Sequence, residues 1–580
     1  MVREGRTVTA RDNELRGQIL HRGHLACLKT PDLGKPGKPR PVSRGFDSQE
    51  ARRWVDTCRA GHGEDCNRSR PLGGFRLVDC ATLTVVDAKE SMSWTTLSYV
   101  WAIAEEVYPN HAIYAETVPY RRRLPGKLPG VVLDAVEVTK QLGYNYIWVD
   151  RYCIRQGDEK DVEEQIAKMD KIYQGSEITI VAATRQNGLP GVGKIRRTKR
   201  PVARVAAGVT LFRTPPSITR AKVTSPWAFR GWTYQEGVLS RRRLFFTEEE
   251  VLFECNEPMS YWESMCELPP APKTETETAF YRSSWHGSPL ESALAQFYRH
   301  VSDFSRRRLT YDADTLSAIS GVMSTFQDDS PARQRHNTVL TPAWGIASST
   351  AQTRDWTDVN KQVFALGLCW FHHSVKAREP RRKKRFPSWT WAGWDGMVSW
   401  PLAHEAGLHD FAVLSQVLEV TALPSQRTSV TQTGVYTGAI KILARCLPRD
   451  RFEFTLNGWG AMCLLVSGHT FQFRGEDPWG LSQRQFVAGL EEGKFIAVLL
   501  GGQCWSSIWP KNGVCQFFDL HVLVLTKVKA GTGKDAGAAK RVGILRFQLD
   551  CRNADGEGTA FGVSSLPGIS NLPLEGLVII

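Results

Sequence analysis

The first half of the chain alternates between apolar runs of strand length and longer segments whose apolar residues recur at helical spacing. The runs TLSYVW (96–101), YIWV (146–149) and ITIVAA (178–183) predict buried strands. Between the first two runs, residues 131–142 carry apolar side chains at helical spacing, and Gly143 then supplies a helix stop. Between the last two, the positions Val162, Ile166, Met169 and Tyr173 predict a second helix with one core-facing stripe.

This alternation favours one fold class. Strands that alternate with helices of this length predict βαβ units and therefore an α/β domain built on a parallel sheet. In such sheets ligands bind beyond the carboxyl ends of the strands. We therefore expect Trp101, the segment 150–156 and the turn 184–187 to meet at one rim of the sheet.

Composition changes along the chain divide it into five segments. A polar, Gly/Pro-rich arm over 1–45 precedes a denser flanking segment over 46–89 with the strands FRLVDC and TLTVVD. The α/β domain covers 90–266 and ends in a short helix after Pro226 and a hairpin from RLFFT to EVLFEC. The stretch ELPPAPKTETET opens a linker over 267–290. An α+β region over 291–580 follows, with a helix near 294–304 and short strands such as FIAVLL, LHVLVLTKV and RVGILRF.

Bulk properties place the chain among multidomain globular proteins. It has 580 residues, 42% apolar side chains and a formal net charge of +14. The positive charge lies in short separate clusters rather than on one face, so we expect no nucleic-acid partner. No run approaches the ~18 apolar residues of a membrane helix, and the N-terminus lacks the apolar core of a signal peptide. Thirteen cysteines without a CxxC pair argue against a disulfide framework, and we expect a reduced, cytoplasmic protein without a membrane segment.

Two motifs suggest ligands that closer inspection does not favour. GLPGVGK (188–194) has the spacing of a phosphate-binding loop, but Ile195 replaces the hydroxyl residue that holds magnesium and no helix pattern follows. A glycine-rich turn that binds no nucleotide triphosphate is the better interpretation. Cys58, His62 and Cys66 are spaced as CxxxHxxxC, with His21, His24 and Cys27 upstream. Only three donors are clustered where zinc needs four, so we expect no metal and a helix that packs Trp54 and Cys58 inward.

Polar side chains follow the second predicted strand. Asp150 ends the run, and Arg151, Cys153 and Gln156 come after it. One interpretation is structural, in which Asp150 caps the next turn and Gln156 bonds exposed backbone. The other is that these side chains contact a ligand at the rim. No catalytic base lies near Cys153 in the sequence, which argues against a thiol nucleophile.

Glu236 is the candidate catalytic carboxylate. It stands among Arg230, Trp232 and Tyr234, where aromatic surroundings would raise its pKa or aim it at a bound sugar. The alternative is an ordinary helical Glu that pairs with Arg230 or with residues 241–243.

Four motifs in order resemble the heterokaryon incompatibility (HET) domain of filamentous fungi. They are LSYVWA (97–102), WVDRYCIRQ (148–156), the helix segment from Gln165 to Tyr173, and RGWTYQEGVLSR (230–241). Ala102 stands where the family usually has Gly, and Asp161 stands where it usually has Glu at the start of the helix. WVDTCRAGHGEDC, FRLVDC, LTYDADTLSAISG, FPSWTWAGWDG and KRVGILRF also resemble flanking features of these proteins.

The resemblance implies a role in fungal non-self recognition, in which incompatible cell fusion triggers programmed cell death. The domain is also distantly similar to Toll/interleukin receptor (TIR) domains, several of which hydrolyse NAD. The TIR segment with the catalytic Glu falls on 225–236, which makes Glu236 the implied catalytic residue. NAD would then be a substrate, with no cofactor required.

The same resemblance implies an NAD-binding site and two kinds of mechanism. An aromatic side chain would stack on the nicotinamide or adenine ring of NAD, and Arg230 would contact a phosphate. The residues of this site would be Ser98, Tyr99, Trp101, Asp150, Cys153, Gln156, Arg230 and Trp232. A non-enzymatic module that self-associates or docks another incompatibility or signalling protein is the alternative.

Overall fold

The computed structural model divides the chain into two compact units, 1–283 and 284–580, which are described separately. The predicted arm up to residue 41, apart from 25–29, lies outside the described residues, as do His21, His24, Ala102 and most of the predicted linker. The structure describes residues 25–29, 42–67, 72–101, 123–197, 202–205, 209–213, 224–257, 260–264, 289–327, 340–349, 358–372, 380–400, 411–421, 438–454, 462–466, 469–473, 483–505, 517–528, 538–550 and 572–580.

The N-terminal unit contains a mixed eight-stranded sheet and a three-stranded sheet. The strands are β1 (Leu25–Lys29), β2 (Arg76–Asp79), β3 (Thr84–Asp87), β4 (Trp94–Ser98), β5 (Tyr146–Trp148), β6 (Ile178–Ala182), β7 (Val202–Val205), β8 (Val209–Arg213), β9 (Arg242–Phe246), β10 (Val251–Cys255) and β11 (Ser260–Trp262). The large sheet has the order β11-β10-β9-β6-β4-β5-β2-β3, and the small one the order β1-β8-β7.

The centre of the large sheet is parallel, and its edges are not. β4 pairs in parallel with both β5 and β6, and β6 pairs in parallel with β9. The prediction that the three apolar runs are neighbouring parallel strands is therefore confirmed. The sheet as a whole is mixed rather than parallel, because the predicted hairpin β9–β10 and the hairpin β2–β3 are antiparallel. Connections this short can only join antiparallel strands.

Short helices surround this sheet. In the first predicted helix Val132, Ala135 and Val136 are buried, and Gly143 follows it at a φ of 89° that few other residues adopt. The helices are α1 (Ser48–Gly61), α2 (Glu64–Asn67), α3 (Gly130–Gln141), α4 (Asp150–Cys153), α5 (Glu159–Ile166), α6 (Met169–Gly175), α7 (Pro226–Phe229) and α8 (Thr233–Leu239).

The second predicted helix is two helices, α5 and α6. Between them the backbone N–H of Lys168 bonds the carbonyl of Gln165, three residues back, which tightens the turn. The side chains of Gln165 and Lys168 both donate to the carbonyl of Gly74. This shared tertiary acceptor favours the break, and no periodicity in the sequence reveals it.

The C-terminal unit is dominated by a ten-stranded sheet. Its predicted short strands are long: β22, β23 and β24 have 11, 11 and 12 residues and pair antiparallel along most of that length. The core of this unit includes fully buried Phe452, Met462, Leu464 and Phe547. The strands are β12 (Leu340–Ala343), β13 (Ile346–Ser349), β14 (Phe371–His372), β15 (Val398–Ser399), β16 (Phe411–Val413), β17 (Gln416–Thr421), β18 (Ala439–Leu447), β19 (Phe452–Phe454), β20 (Met462–Val466), β21 (His469–Phe473), β22 (Phe495–Trp505), β23 (Phe517–Lys527), β24 (Ala539–Asp550) and β25 (Leu574–Ile579).

Helices and buried tryptophans complete this unit. The indole N–H groups of Trp389, Trp391 and Trp400 donate to backbone carbonyls, so these buried tryptophans have their polar groups paired. Within the described residues, no helix combines the length and the apolarity that a bilayer crossing needs. The helices are α9 (Pro289–Ser305), α10 (Ser317–Ser324), α11 (Asp358–Gly367) and α12 (Gln483–Glu491), with 3-10 turns at Asp312–Thr315, Trp391–Gly393 and Arg449–Arg451.

Candidate functional site

The carboxyl ends of the parallel strands bring distant residues to one edge of the sheet. Ser98 is the last residue of β4, and Asp150 follows β5 after a single residue. Helix α8 packs against β4 and α6, which places Glu236 over the end of β4. The rim expected from the sequence therefore includes the candidate carboxylate.

Four buried side chains form a hydrogen-bonded group that we call the carboxyl cluster: Ser98, Tyr173, Trp227 and Glu236. The Ser98 hydroxyl donates to Glu236 Oε2 at 2.5 Å and accepts from Trp227 Nε1 at 2.6 Å. The Tyr173 hydroxyl donates to the carbonyl of Leu97 at 3.2 Å and also bonds the Glu236 carboxyl. Only 3% of Glu236 is exposed.

The environment favours the protonated form of Glu236. Burial, helped by the nearby Asp150 carboxylate, raises the pKa of Glu236 to about 7, although Arg230 and the hydrogen bonds from Ser98 and Tyr173 oppose the shift. Tyr173 has one hydroxyl proton and two acceptors within reach, Leu97 O and the carboxyl group. Tyr173 cannot donate its one proton to both acceptors. If Glu236 is protonated, it can donate to the Tyr173 oxygen while Tyr173 donates to the backbone.

Partly exposed residues lie around this cluster. Trp101 donates from Nε1 to Asp150 Oδ2 at 2.9 Å, and its ring lies 5.5 Å from the guanidinium of Arg230 and 5.7 Å from that of Arg151. Burial raises the pKa of Asp150, and Arg230 opposes that change. Trp232 lies at the N-cap of α8 and is partly exposed.

Tyr99 is a buried residue of this edge. Only 4% of it is exposed, and its hydroxyl has no hydrogen-bond partner among the described residues. Burial holds the pKa of this phenol well above its usual value, and the Asp150 carboxylate adds to the effect. A buried, unpartnered hydroxyl beside a carboxylate is available to a polar ligand, provided that one can reach it.

Two predicted site residues have structural contacts instead. The Cys153 thiol is fully buried, and burial raises its pKa to about 12, so the thiolate needed for nucleophilic attack is disfavoured. Gln156 donates to the carbonyls of Asp150 and Ile154, which is the backbone role weighed for it from sequence. Asp161, where the HET family usually has Glu, holds this turn by accepting from Arg76 and from the backbone of Arg155.

The turn after β6 is bonded elsewhere. Thr184 Oγ1 donates to Glu248 Oε1 at 2.7 Å, and Arg185 N and Gln186 Nε2 donate to the same carboxylate. Of the predicted rim, Trp101 and Asp150 lie together near Glu236, whereas Thr184 is bonded to the β9–β10 turn.

The arginines 241–243, named in the alternative interpretation as partners of Glu236, are buried. Residues 241, 242 and 243 are 5%, 1% and 3% exposed. Arg241 donates to the carbonyls of Gly175 and Ser176, and Arg243 donates to those of Gly237 and Ser240. Arg241 and Arg243 therefore bond backbone carbonyls at the ends of α6 and α8, while Arg242 bonds Cys58 Sγ and Asn67 Oδ1.

The glycine-rich segment 188–194 folds around a carboxylate of its own unit. Leu189 N donates to Asp134 Oδ2 at 2.8 Å, and a Cβ on Gly193 would lie 2.4 Å from Asp134 Oδ1. Burial raises the pKa of Asp134 to about 6. A carboxylate of the protein thus bonds the backbone of this glycine-rich turn, and the absence of nucleotide binding stays a prediction.

Sequence reasoning missed partners that lie far away in the chain. Trp227 and Tyr173 complete the carboxyl cluster. Tyr173 ends the helix motif 165–173 and Trp227 lies in the segment 225–236, so these segments were a usable signal. Cys255 joins Cys58, His62 and Cys66, 193 residues after His62, and nothing in the sequence connects them. The count of three donors that argued against a metal was therefore incomplete.

Comparison with known proteins identifies one segment. Residues 94–236 match the family described as heterokaryon incompatibility protein (HET). No curated protein and no solved structure matches the chain significantly. The matched segment begins at the first residue of β4 and ends at Glu236, and it contains every residue of the carboxyl cluster.

Proposed function

Because residues 94–236 form a HET domain, we propose that this protein is an effector of fungal non-self recognition whose action ends in programmed cell death. The observation that carries this proposal is the family match, which covers the parallel strands β4, β5 and β6 and the carboxyl cluster. Other incompatibility or signalling proteins, or further copies of this chain, would be its partners.

The mechanism that we propose is NAD hydrolysis with Glu236 as the catalytic carboxylate, as the distant similarity to TIR domains implies. Water replaces nicotinamide at the ribose C1′, and the products are nicotinamide, ADP-ribose and a proton. The ribose passes through an oxocarbenium-like state, whose positive charge a carboxylate stabilises. Only the ionised form of Glu236 serves this purpose, so its pKa of about 7 places the active form at and above neutral pH.

The rim residues fit the other parts of the substrate. Arg230 is partly exposed and could bind a phosphate, and Trp101 or Trp232 could stack on a base. The buried hydroxyl of Tyr99 would gain a partner from the ligand. These contacts would replace the Arg230–Trp101 contact present in the structure.

Access is the main requirement of this mechanism. Glu236 is 3% exposed, Ser98 is fully buried, and the two are hydrogen-bonded. A ribose can reach the carboxylate only if α8 or the rim side chains move. The described conformation is then the closed form of the site.

The same burial favours a second candidate, a non-enzymatic module that acts by docking or self-association. The hydrogen bonds of Ser98, Tyr173 and Trp227 account for a buried Glu236 without any substrate. In this case the carboxyl cluster stabilises the edge of the sheet, and the partly exposed rim contacts another protein.

Incubation of the purified full-length protein with NAD distinguishes the two mechanisms. We expect stoichiometric release of nicotinamide and ADP-ribose, abolished in Glu236→Gln and retained in Glu137→Gln, a partly exposed helical carboxylate that serves as the control. The same variants expressed in a fungal host test cell killing. Undiminished killing by a well-folded Glu236→Gln protein would overturn the catalytic assignment and favour docking, and no killing by the unaltered protein would overturn the effector role.

A further inference from the structure

Four metal-binding side chains from three elements converge at one place in the N-terminal unit. Cys58 lies near the end of α1, His62 caps that helix, Cys66 lies in α2, and Cys255 is the last residue of β10. Their donor atoms all lie within 4.8 Å of one another, and we call this group the thiol cluster. The three cysteines are buried and His62 is partly exposed.

We propose that the thiol cluster is a structural zinc site with three thiolate ligands and one imidazole ligand. This donor set is a common one for structural zinc, which binds sulfur at about 2.3 Å in a tetrahedron. Such a tetrahedron places its sulfur atoms about 3.8 Å apart, so the cluster needs only a slight contraction to bind the ion. The distance from His62 Nδ1 to Cys255 Sγ, 3.4 Å, is close to the roughly 3.6 Å between a nitrogen and a sulfur ligand in such a tetrahedron.

The ligand type argues against magnesium and calcium. Magnesium and calcium prefer oxygen ligands, and the cluster contains none. Four protein ligands leave no open position for water or substrate, which is the arrangement of a structural site rather than a catalytic one.

The surroundings compensate the charge that a zinc complex would carry. Three thiolates and one Zn²⁺ have a net charge of −1. Arg242, which is 1% exposed, donates from Nε to Cys58 Sγ at 3.1 Å and supplies the opposite charge. A hydrogen bond of this kind stabilises a thiolate more than a neutral thiol.

An outer set of hydrogen bonds orients the ligands. Asn67 Oδ1 accepts from Arg242 Nη2 at 2.6 Å, while Asn67 Nδ2 donates to the carbonyls of His62 and Arg59. One amide therefore connects the arginine at the sulfur to the backbone of the histidine ligand. Outer contacts of this type fix ligand orientation in known metal sites.

Packing alone explains only part of this arrangement. Trp54 and Cys58 do face inward from α1, as the sequence suggested, with 2% and 0% exposure. Burial of one cysteine does not require two further thiols and an imidazole at the same point. A disulfide would use two of the three thiols and leave the third beside it.

The position of the site defines its role. Three ligands precede the HET segment 94–236, and Cys255 follows it. A bound zinc would therefore link α1 and α2 to β10, where Trp54 already packs against Phe253 and Tyr261. This role does not depend on the proposed NAD chemistry.

The direct test is the metal content of the full-length protein, purified under reducing conditions and dialysed without added metal. We expect about one zinc per chain by elemental analysis. Cys255→Ser and Cys66→Ser should each lose it. Cys80→Ala, which alters another buried thiol of the same unit, should retain it.

A second measurement covers variants that fail to fold. Cobalt substituted into the unaltered protein should show the intense visible bands of tetrahedral coordination and a thiolate charge-transfer band. Titration of the zinc protein with a mercurial should release zinc in proportion to the thiols modified. A folded protein that binds neither zinc nor cobalt would overturn the proposal. So would a disulfide between two cysteines of the thiol cluster, detected by peptide mass spectrometry of protein from freshly lysed cells.

Discussion

The carboxyl cluster and the thiol cluster are both buried polar groups of one unit, yet their hydrogen bonding differs. In the carboxyl cluster each donor meets an acceptor: Trp227 donates to Ser98, and Ser98 donates to Glu236. In the thiol cluster three sulfurs and an imidazole turn their donor atoms toward one another. In the carboxyl cluster the protein itself supplies a partner for every hydrogen-bond donor. The thiol cluster instead has the arrangement of ligands around a cation.

This difference teaches how buried polarity can be interpreted. A satisfied network stabilises a fold without a ligand, because leaving a buried polar group unpaired costs more than its pairing gains. Converging sulfur donors gain little from one another, since thiols are weak hydrogen-bond donors and acceptors. The two clusters should therefore respond differently to metal removal, mutation and pH.

Metal removal should separate the clusters most strongly. We compare the protein at a free zinc concentration a thousand times the dissociation constant with the same protein after chelation. Chelation is expected to lower the unfolding free energy of the N-terminal unit by about 4 kcal/mol. Thermal unfolding with and without a strong chelator measures this loss. The Glu236→Gln protein should lose as much unfolding free energy on chelation as the unaltered protein. Equal unfolding midpoints with and without chelator would show that the thiol cluster holds no stabilising metal.

Replacement of the arginine at the sulfur should weaken zinc binding. Arg242→Met removes the N–H donor to Cys58 and the compensating charge, so we expect a 10–100-fold lower zinc affinity, about the effect of losing an outer-shell contact. Competition with a chromophoric chelator measures it. Arg241→Met is the matched control, because that buried guanidinium donates to the carbonyls of Gly175 and Ser176; an equal loss in both variants would show a general packing effect.

Removal of one hydroxyl should open the carboxyl cluster. Ser98→Ala leaves the Trp227 N–H without its acceptor and Glu236 without one donor, so we expect a loss of roughly 1–3 kcal/mol in unfolding free energy. The pKa of Glu236 should also rise, since the Ser98 hydrogen bond opposes its shift. Chemical denaturation and a carboxyl titration by NMR measure the two effects, and zinc content should stay unchanged. A variant of unaltered stability would show that the network is weaker than its geometry indicates.

Removal of the Glu236 charge should change the pH dependence more than the stability itself. Folding raises the pKa of Glu236 from 4.5 to about 7, so its stabilising contribution is complete below pH 4.5 and is lost as the pH rises through 7. Glu236→Gln cannot ionise, and relative to the unaltered protein it should gain stability over this range, by roughly 3 kcal/mol at most. Denaturation midpoints at pH 4.5, 6 and 8 test this, and parallel profiles for the two proteins would contradict the raised pKa.

The sequence predicted the elements of the sheet better than their arrangement. Apolar runs located β4, β5 and β6, and parallel pairing followed from the helices between them. The hairpin β9–β10 was also predicted, whereas the antiparallel pairing of β2 with β5 was not, and the break between α5 and α6 depends on a tertiary partner, Gly74, that periodicity does not contain. Glu236 was identified from its neighbours, but its burial and its bond to Ser98 depend on how α8 packs.

The sequence by itself determined which segments are apolar enough to form strands, where helices stop, and that the HET motifs occur in order. Those are local properties, decided by side-chain periodicity and backbone preferences. Tertiary structure alone decided that Cys255 meets Cys58, and that Ser98 meets Glu236 across 138 residues. Contacts of this kind arise when buried faces pack together, because the free energy of packing depends on shape and burial rather than on separation along the chain.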